Sequence, residues 1–454
     1  MKLPSAELIR RYDVAAPRYT SYPTVPCWDA PPGEAQWLEH LRRQLAAHDS
    51  AGAALYVHIP FCRSLCTYCG CNTRITRDRS IATRYVGTLL EEWRLYREAL
   101  GAGATHVELH LGGGTPTFLA PEDLERLFTG LATSEAAGAE IRRSIEVDPR
   151  VTTLEHLDVL ARAGFTRLSL GVQDFDPRVQ DIVNRVQSEE QVAAVTEAAR
   201  ARGFTSVNFD LIYGLPLQTP DSVRATMSAV ARLRPDRIAL YAYAHVPWIR
   251  PAQRRFTEAD LPVGEDKRRL YELGRELLAA QGYREIGLDH FALPDDELWQ
   301  ATESGRLHRN FMGYTERRTL PLIGLGVSAI GDAWSAFAQN EKVIEKYEEK
   351  VLRGELPLQR GHVLDAEDLV LRGHILELMT RFRTVWNERA PEVPFLASVH
   401  ERLAPLEADG LVELAPGECR ITLLGRAFLR NVCMAFDARL ARLTSNAPLF
   451  SRAV

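Results

Sequence analysis

The chain has 454 residues, 46% of them hydrophobic and 25% charged, with a formal net charge of −5 at pH 7. This size and composition predict a globular protein with a large core and more than one folding unit, and the acidic balance argues against general nucleic-acid binding. No apolar run approaches the ~18 residues of a membrane span, and the N-terminus lacks the apolar core of a signal peptide. We therefore expect a cytoplasmic protein whose cysteines stay reduced.

A polar and aromatic segment stands out within residues 1–50. Residues 17–24 read PRYTSYPT and show neither helical nor strand periodicity, which predicts an extended segment. A solvated leader is the simplest alternative, but two tyrosines and an arginine between prolines are unusual for a disordered tail. We therefore predict an N-terminal arm over residues 1–50.

Four of the seven cysteines fall in one loop after a predicted strand over residues 53–59. Cys62, Cys66 and Cys69 have C-x3-C-x2-C spacing, which can direct three thiolates to one centre and leaves a fourth ligand position open. An iron–sulfur cluster with one open iron fits that spacing. A structural zinc site normally has four ligands, and no second C-x2-C or H-x3-H motif lies downstream. The scattered remaining cysteines disfavour a disulfide framework, and buried structural thiols do not usually cluster at ligand spacing.

From residue 53 to about residue 330, short apolar runs alternate with amphipathic helical patterns. This alternation predicts repeated βα units around a parallel sheet. Six units favour an incomplete (β/α)6 barrel, with its chemistry at the C-terminal ends of the strands. The predicted helices include 81–100, 154–163, 189–202 and 220–233, and the predicted strands are 53–59, 106–111, 143–147, 167–171, 206–212 and 237–242.

Glycine-rich or polar residues follow these predicted strands. The second strand runs into residues 112–116, GGGTP, where glycines let the backbone approach a ligand closely, although a tight turn alone would also explain them. The third strand ends near Glu146, and a carboxylate there can bind an ammonium or a ribose hydroxyl. Each such residue is more often a cap or turn residue, but their recurrence at five strand ends favours a ligand site. The other polar groups lie in residues 171–175, 208–216 and 243–247, after the fourth, fifth and sixth strands, and in Asn184 and Arg185 on the helix after the fourth strand.

The cysteine loop resembles the signature of the radical S-adenosylmethionine superfamily. In that superfamily three cysteines hold a [4Fe–4S] cluster, and S-adenosylmethionine completes the fourth iron. The continuation Cys69-Gly70-Cys71-Asn72-Thr73 is similar to that of the oxygen-independent coproporphyrinogen III dehydrogenases. Haem chaperones related to those enzymes usually carry an aromatic residue where Cys71 stands. The resemblance covers nearly the whole chain and favours an enzyme over a haem-binding protein.

The resemblance also implies roles for particular residues. Cys62, Cys66 and Cys69 would bind the cluster, and Cys71, Tyr56 and Glu146 would be catalytic. The S-adenosylmethionine on the cluster would contact Tyr56, Gly113, Glu146 and Ile330, and a second S-adenosylmethionine would contact Tyr68, Gly114, Thr115, Gln173, Arg185, Asp210 and Ala244.

Residues 287–292 and 308–315 are similar to substrate-side segments of the same family. The anionic substrate needs cationic or amide partners, for which Arg18, His290 and Arg309 are the candidates, although a histidine such as His290 is often only structural. Family members typically carry glutamine at the position of Met312. A thioether cannot donate the hydrogen bonds of an amide, so the contacts made at this position are an open question.

A mainly helical C-terminal domain is predicted over residues 362–454, after a linker marked by Gly354, Pro357 and Gly361. The barrel is accordingly expected to occupy residues 51–355. Helices followed by a hairpin resemble a winged helix, which can indicate DNA binding, but no basic recognition surface is evident. The segment is also similar to the family's C-terminal domain, which covers the barrel mouth. The predicted elements are helices at 368–381 and 395–409, strands at 410–414 and 419–422, and a helix from Leu424.

The resemblance implies an enzyme of haem biosynthesis that converts coproporphyrinogen III to protoporphyrinogen IX without oxygen. A 5′-deoxyadenosyl radical would remove hydrogen from the ring A and ring B propionates, after which carbon dioxide and one electron leave and a vinyl group remains. We expect a flavodoxin or ferredoxin as electron donor, a monomer, and no nucleic-acid or membrane partner. The alternatives are a haem-binding chaperone on the same scaffold, a radical enzyme with another substrate, and a zinc-stabilised DNA-binding protein.

Overall fold

The computed structural model describes residues 4–47, 52–101, 104–136, 138–386, 393–443 and 450–453. Within these ranges, no helix is long and apolar enough to cross a membrane. The helices, in chain order, are α1 (Ala6–Tyr12), α2 (Glu34–Leu45), α3 (Arg79–Leu100), α4 (Pro121–Ala132), α5 (Leu154–Arg162), α6 (Pro177–Ile182), α7 (Glu189–Ala201), α8 (Pro220–Leu233), α9 (Gly264–Ala280), α10 (Glu297–Glu303), α11 (Ile344–Leu352), α12 (Ala366–Arg381), α13 (Val399–Ala408), α14 (Leu429–Met434) and α15 (Ala438–Arg442).

The strands form one large sheet and three small ones. The small sheets pair β2 with β3, β11 with β12, and β19 with both β17 and β18. The strands are β1 (Ala53–Ile59), β2 (Phe61–Cys62), β3 (Arg74–Ile75), β4 (His106–Gly113), β5 (Arg142–Val147), β6 (Arg167–Gln173), β7 (Ser206–Tyr213), β8 (Arg237–Ala242), β9 (Arg284–Gly287), β10 (His290–Ala292), β11 (His308–Asn310), β12 (Gly313–Thr315), β13 (Leu322–Leu325), β14 (Ile330–Asp332), β15 (Ala336–Asn340), β16 (Leu358–Val363), β17 (Arg383–Val385), β18 (Val412–Ala415) and β19 (Glu418–Ile421).

The large sheet contains the six predicted βα strands as neighbours. Its order is β16-β15-β14-β13-β1-β4-β5-β6-β7-β8-β10-β9, and β1, β4, β5, β6, β7 and β8 pair in parallel. This confirms the expected incomplete (β/α)6 barrel. The sheet is also longer than expected, because β13 adds in parallel to β1 and antiparallel strands extend both edges. Because the six strands are parallel, their C-terminal ends lie on one rim.

Local sequence explains where the crossover helices begin and end. Thr219 caps α8 by accepting a hydrogen bond from the Ser222 backbone amide, and Pro220 occupies the first helical position, which suits its fixed φ. The helix is terminated by the next residue, Arg234, whose φ of +46° lies in the left-handed region. Ser188 makes the same kind of cap for α7. The periodicity therefore predicted these two helices to within a residue at each end.

Apolar residues on alternate strand positions form the barrel core. Val57, Leu111, Ile145, Leu170 and Phe209 are all buried in one cluster with the surrounding helices. Side chains alternate between the two faces of a strand, so the intervening positions face the barrel interior. That interior is the polar cavity described in the next section.

The N-terminal region contributes to two cores, because Trp37 and Leu41 of α2 pack in the barrel core, whereas Ile9 of α1 and the arm pack in a second core. It carries α1 and α2, while residues 17–24 contain neither helix nor strand. Tyr19 and Tyr22 are buried in a cluster with Leu371, Val399 and other residues of the C-terminal region. The hydroxyl of Tyr19 also donates to Asp437 over 3.0 Å. The arm is thus ordered by apolar packing between its aromatic rings and the C-terminal helices.

The predicted linker is wrong. Residues 358–363 form β16, which pairs with β15 in the large sheet, so the expected boundary at residue 362 falls inside a strand. Gly361 lies where a side chain would meet the Phe337 carbonyl and Pro32, so this glycine reflects close packing rather than a flexible connection.

The C-terminal region is mainly helical, as expected, and its hairpin gains a third strand. β17 pairs with β19, beside the predicted pair of β18 and β19. The last predicted helix begins later than expected, since residues 425–428 form a 3-10 turn before α14.

Candidate functional site

One cavity of about 620 Å³ runs through the barrel from the C-terminal rim of the strands to their N-terminal ends. A cavity of this size is typical of a cofactor or small-molecule site. It brings together residues from each of the six βα strands and from the cysteine loop. Most of the predicted site residues line it, namely Arg18, Cys62, Cys66, Tyr68, Cys69, Cys71, Gly113, Gly114, Thr115, Glu146, Gln173, Arg185, Asp210, Ala244, His290 and Met312.

Three predicted site residues are not in the described lining. Tyr56 is 8% exposed and stacks on His110, which does line the cavity, with ring centroids 5.9 Å apart. Ile330 lies on β14 and packs near Trp28 and Phe337. Arg309 is buried with its guanidinium 4.5 Å from the ring centroid of Tyr314, so Tyr314 separates it from the cavity.

Backbone hydrogen bonds hold the cysteine loop at the rim. The amide of Thr67 donates to the Val183 carbonyl over 3.0 Å, and the Asn184 side chain donates to the Leu65 carbonyl over 2.8 Å. The pairing of β2 with β3 fixes the start of the loop at Cys62. The loop conformation is thus set by its contacts with residues 183–184 and by the pairing of β2 with β3, the strand that follows the loop.

Polar groups surround the three cysteine sulfur atoms. The Cys62 Sγ lies 3.4 Å from the Thr115 hydroxyl, and the Cys66 Sγ lies 3.6 Å from Arg185 and 3.8 Å from Arg150. A hydrogen bond from Cys71 lowers the pKa of the Cys69 thiol to about 6, whereas burial raises the pKa of Cys62 to about 11. The charges of Arg250 and Arg185 also lower the pKa of Cys69 and so favour its thiolate, which is the form that binds metal.

The three thiols of the cysteine loop form a donor set that can hold a cluster. Within the described residues, no three His, Cys, Asp or Glu side chains are placed to hold one metal ion. Three thiols nevertheless open into one cavity from a single loop, with room beside them for a ligand that completes the fourth position. These residues therefore fit a [4Fe–4S] cluster that binds S-adenosylmethionine.

The glycine turn after β4 must approach the cysteine loop closely. Gly113 has a φ of +114°, and a Cβ atom there would come within 2.7 Å of the His58 ring. A Cβ atom on Gly114 would lie 3.0 Å from the Cys62 sulfur. A larger residue at either position would clash with these neighbours. The glycines therefore let the backbone of the turn lie beside the Cys62 sulfur and the His58 ring.

Glu146 faces this turn from β5. Its carboxylate accepts a hydrogen bond from the Gly113 amide over 3.1 Å and lies 3.5 Å from the His110 ring nitrogen. The other ring nitrogen of His110 is 2.7 Å from the Ser144 hydroxyl. The carboxylate is therefore oriented, and its position suits recognition of a cationic amino group.

An ion-pair network lies on the opposite side of the cysteine loop. Asp148 accepts from Arg150 over 2.6 Å and pairs with Arg185 over 3.3 Å. Burial acts to raise the pKa of Asp148, but the two guanidinium groups hold it below its usual value. Arg185 also donates to the Gly171 carbonyl. The network fixes both arginines beside the Cys66 sulfur.

Asp210 occupies the barrel interior with an unusual pKa. Its carboxylate accepts from the Ser169 hydroxyl and the Asn208 amide, each over 2.9 Å. Burial, followed by the charge of Glu146, raises its pKa to about 7. A carboxyl group that gains its proton near neutral pH in a cofactor-sized cavity is typical of a functional position.

Asp289 connects the candidate substrate residues. It lies 3.2 Å from the His290 ring and 3.6 Å from the Arg18 guanidinium. Burial acts to raise its pKa, but the hydrogen bond with His290 and the charges of His290, Arg309 and Arg18 hold it below its usual value. Arg18 also donates to the Ala242 carbonyl over 2.6 Å. Asp289 thus joins the arm to the barrel rim.

Sequence reasoning missed His110, Asp148, Arg150, Asp289 and the lower end of the cavity. A period-two pattern could have found the interior residues, because polar side chains alternate with apolar ones along β4 to β7. The strand register then aligns these polar positions, pairing His110 with Ser144, Glu146 with Ser169, and Ser169 with Asn208.

The lower end of the cavity is closed by a buried ionic cluster around Glu316. Arg167 donates to its carboxylate over 2.8 Å, Arg142 over 3.2 Å, and Arg237 also pairs with it. Burial opposes ionisation, yet the charges of Arg237 and Arg167 hold the Glu316 pKa well below its usual range.

Comparisons with known proteins show the family to which the chain belongs. Residues 56–230 match the family model of the radical SAM superfamily. The chain is 42% identical to the oxygen-independent coproporphyrinogen III oxidase of Escherichia coli, over 98% of both chains, and 42% identical to that of Pseudomonas aeruginosa, over 99% of this chain and 98% of the relative. A solved structure of coproporphyrinogen III oxidase from Escherichia coli, described as a radical SAM enzyme, superposes with a TM-score of 0.88. It is 41% identical and covers 96% of this chain and 100% of its own.

Proposed function

Because the chain belongs to the oxygen-independent coproporphyrinogen III oxidases of the radical SAM superfamily, we propose that it oxidises the ring A and ring B propionates of coproporphyrinogen III to vinyl groups. It is an oxidoreductase whose family implies a [4Fe–4S] cluster and S-adenosylmethionine. Each step removes one hydrogen atom, one electron and carbon dioxide from a propionate and leaves a vinyl group. The product of two steps is protoporphyrinogen IX.

The observation that carries this proposal is the single cavity that joins the cysteine loop to Arg18 and His290. Radical chemistry requires the reacting carbon to lie close to the cofactor and away from water. A porphyrinogen with four carboxylates also requires cationic partners. One continuous cavity supplies both requirements, with thiols at one side and positively charged groups at another.

In this proposal, Cys62, Cys66 and Cys69 hold the cluster. When bound, the cluster and S-adenosylmethionine supply the 5′-deoxyadenosyl radical that abstracts the propionate hydrogen. Glu146 and the Gly113 turn bind the amino group of the first S-adenosylmethionine. Arg185 and Asp210 bind a second S-adenosylmethionine on the other side of the cavity.

At the substrate end, Arg18 and His290 bind propionate carboxylates. Asp289 acts as a positioning residue, because it contacts both side chains without lining the main cavity itself. Met312 places a thioether in the lining, and its backbone amide donates to the Asn310 side chain over 2.9 Å. The thioether contributes shape and polarisable surface rather than hydrogen bonds.

The test uses the anaerobic enzyme with its cluster reconstituted. Given S-adenosylmethionine, a reductant, coproporphyrinogen III and a one-electron acceptor, it should form protoporphyrinogen IX and 5′-deoxyadenosine together, with a monovinyl tripropionate intermediate appearing first. Chromatography of the oxidised porphyrins identifies each product. Tight stoichiometric haem binding without a vinyl product would instead identify a haem-binding protein, and 5′-deoxyadenosine without a change in the porphyrin would indicate another substrate.

A further inference from the structure

A second, smaller cavity lies where the arm, the barrel and the C-terminal region meet. It measures about 50 Å³, which is enough for a carboxylate group or a few water molecules. Apolar side chains form part of its wall, including Leu424 and Ala427, so water screens its charges only weakly. Its charged lining consists of the arginines Arg18, Arg268, Arg275, Arg426 and Arg430 and the acids Glu272, Glu285 and Asp289.

Positive charge exceeds negative charge in this lining. Five arginines and three acids leave an excess of two positive charges when all are ionised. Glu272 is matched, since it pairs with both Arg268 and Arg275. Glu285 forms no ion pair with any described residue, and burial raises its pKa.

Two of the arginines have no carboxylate partner among the described residues. Arg430 donates to backbone carbonyls of both chain ends, including those of Pro17 and Arg452 over 3.0 and 2.9 Å. Arg426 places its guanidinium 4.1 Å from the ring centroid of Phe382, and its buried Nε atom has no hydrogen-bond partner. Arg430 is buried and Arg426 is partly buried, and a cation in such surroundings is stabilised by a hydrogen-bonded anion, so this cavity has the chemistry of an anion site.

The small cavity adjoins the main one. Arg18 and Ala242 line both cavities, and the hydrogen bond between them forms the partition. A ligand with several carboxylates on a wide ring can therefore occupy the main cavity and extend one carboxylate past Arg18.

We propose that the small cavity binds one carboxylate group, supplied in turnover by a propionate of the porphyrinogen that does not react. This assignment rests on the proposed function. It gives the enzyme a fixed contact to the unreacted side of the macrocycle, far from the cysteine loop in sequence. The contact is the same for the starting tetrapropionate and for the monovinyl intermediate, since both keep the unreacted propionates.

The first test replaces Arg426, which has no ion pair to lose. Arg426→Gln should fold normally and raise KM for coproporphyrinogen III roughly 10- to 100-fold with kcat little changed, as expected for a lost charged hydrogen bond that contributes equally to ground and transition states. KM for the monovinyl tripropionate should rise by the same factor. Arg420→Gln, an exposed arginine of the same region, is the matched control and should leave both KM values unchanged.

The second test does not depend on turnover. At constant ionic strength, the melting temperature of wild type and Arg426→Gln is measured with sodium acetate and with sodium chloride. Stabilisation of wild type by acetate that is lost in the variant would support the carboxylate site even if the wild type converts no porphyrinogen. If acetate stabilises wild type but not the variant, and yet Arg426→Gln leaves KM for coproporphyrinogen III unchanged in an active enzyme, the occupant of the site is not a propionate of the substrate. An unchanged KM together with no acetate effect would overturn the site altogether.

Discussion

Cys71 differs from the other three cysteines of the loop in its surroundings. It is the exposed residue among them, and its backbone amide donates to the Cys69 sulfur over 3.4 Å. The Cys62 and Cys66 sulfur atoms instead contact a hydroxyl and two guanidinium groups. Cys71 therefore contacts the sulfur of a candidate ligand through both its backbone amide and its side chain.

We expect Cys66→Ser to lose the brown chromophore and most of the iron after anaerobic reconstitution, because only three thiols of this loop have ligand spacing. Cys71→Ser should keep the iron and lose most of the activity. Iron and sulfide analysis with visible absorption spectra measures both variants side by side. Equal iron loss in the two variants would make Cys71 a ligand, and full iron in Cys66→Ser would remove Cys66 from the ligand set.

Asp210 should make S-adenosylmethionine binding depend on pH. An ordinary aspartate is ionised at pH 6, with a pKa near 3.9, but burial and Glu146 raise the pKa of Asp210 to about 7. The carboxyl group therefore takes up a proton as the pH falls through 7 and loses its attraction for a sulfonium cation. Titration calorimetry should find binding about tenfold weaker at pH 6 than at pH 8. Asp210→Asn should bind weakly at both pH values, and equal wild-type affinity at both would contradict this role.

At the level of elements, the arm cannot be tested by simple removal. Tyr19 and Tyr22 are 4% and 2% exposed in the core of the C-terminal region, so deleting the arm would expose that core and confound substrate binding with folding. Arg18 is the better target, since its side chain reaches the barrel rim while the tyrosines hold the arm in place.

Arg18→Gln should raise KM for coproporphyrinogen III about tenfold, the effect of one lost charged hydrogen bond. Cleavage of S-adenosylmethionine without porphyrinogen should stay near the wild-type rate, because Arg18 lies on another part of the cavity from the cysteine loop. Arg10→Gln is the control, since the Arg10 side chain is 72% exposed and its ion pair among the described residues is a 3.5 Å contact with Glu265. Parallel loss of both activities would indicate that Arg18 supports the fold rather than the substrate.

The βα strands and helices were predictable because each carries a local signal. Apolar strand runs, capping residues such as Thr219 and Ser188, and glycines after strands fixed the parallel part of the sheet. The antiparallel edge strands were missed because several are only three to five residues long, and their pairing depends on distant partners. The linker was mispredicted since Gly361 serves close packing, which a sequence pattern alone does not distinguish from flexibility.

For the site, the cysteine spacing and the strand-end residues were predictable, while the supporting contacts were not. Asp289 lies next to His290 in sequence, but its contact with Arg18 joins residues 271 positions apart. The contacts of Asp148 with Arg185 and of Glu146 with Gly113 likewise join different strands and loops. Such long-range contacts depend on strand register, which becomes known only with the fold.

At the scale of the whole molecule, the cavity has two chemically different ends. The rim carries the thiols and the candidate substrate residues, and the lower end carries Glu316 with Arg142, Arg167 and Arg237. These three arginines are the first residues of β5, β6 and β8. One carboxylate therefore links three strands at the base of the barrel. Removing it would leave buried guanidinium groups without their shared anion, which costs more than losing an exposed pair.

We therefore predict that Glu316→Gln lowers the free energy of unfolding by about 3–5 kcal/mol. Glu297→Gln is the matched control, because Glu297 also pairs with Arg142, over 2.8 Å, but is 57% exposed, and it should cost no more than about 1 kcal/mol. Because the pKa of Glu316 is held below its usual range, the difference between wild type and Glu316→Gln should be complete above about pH 4.3 and shrink as the pH falls below that value. Urea unfolding at pH 7 measures the free energies. Equal costs for the two variants would mean that the three arginines keep enough water at the barrel base to remain solvated, and that the base is open rather than closed.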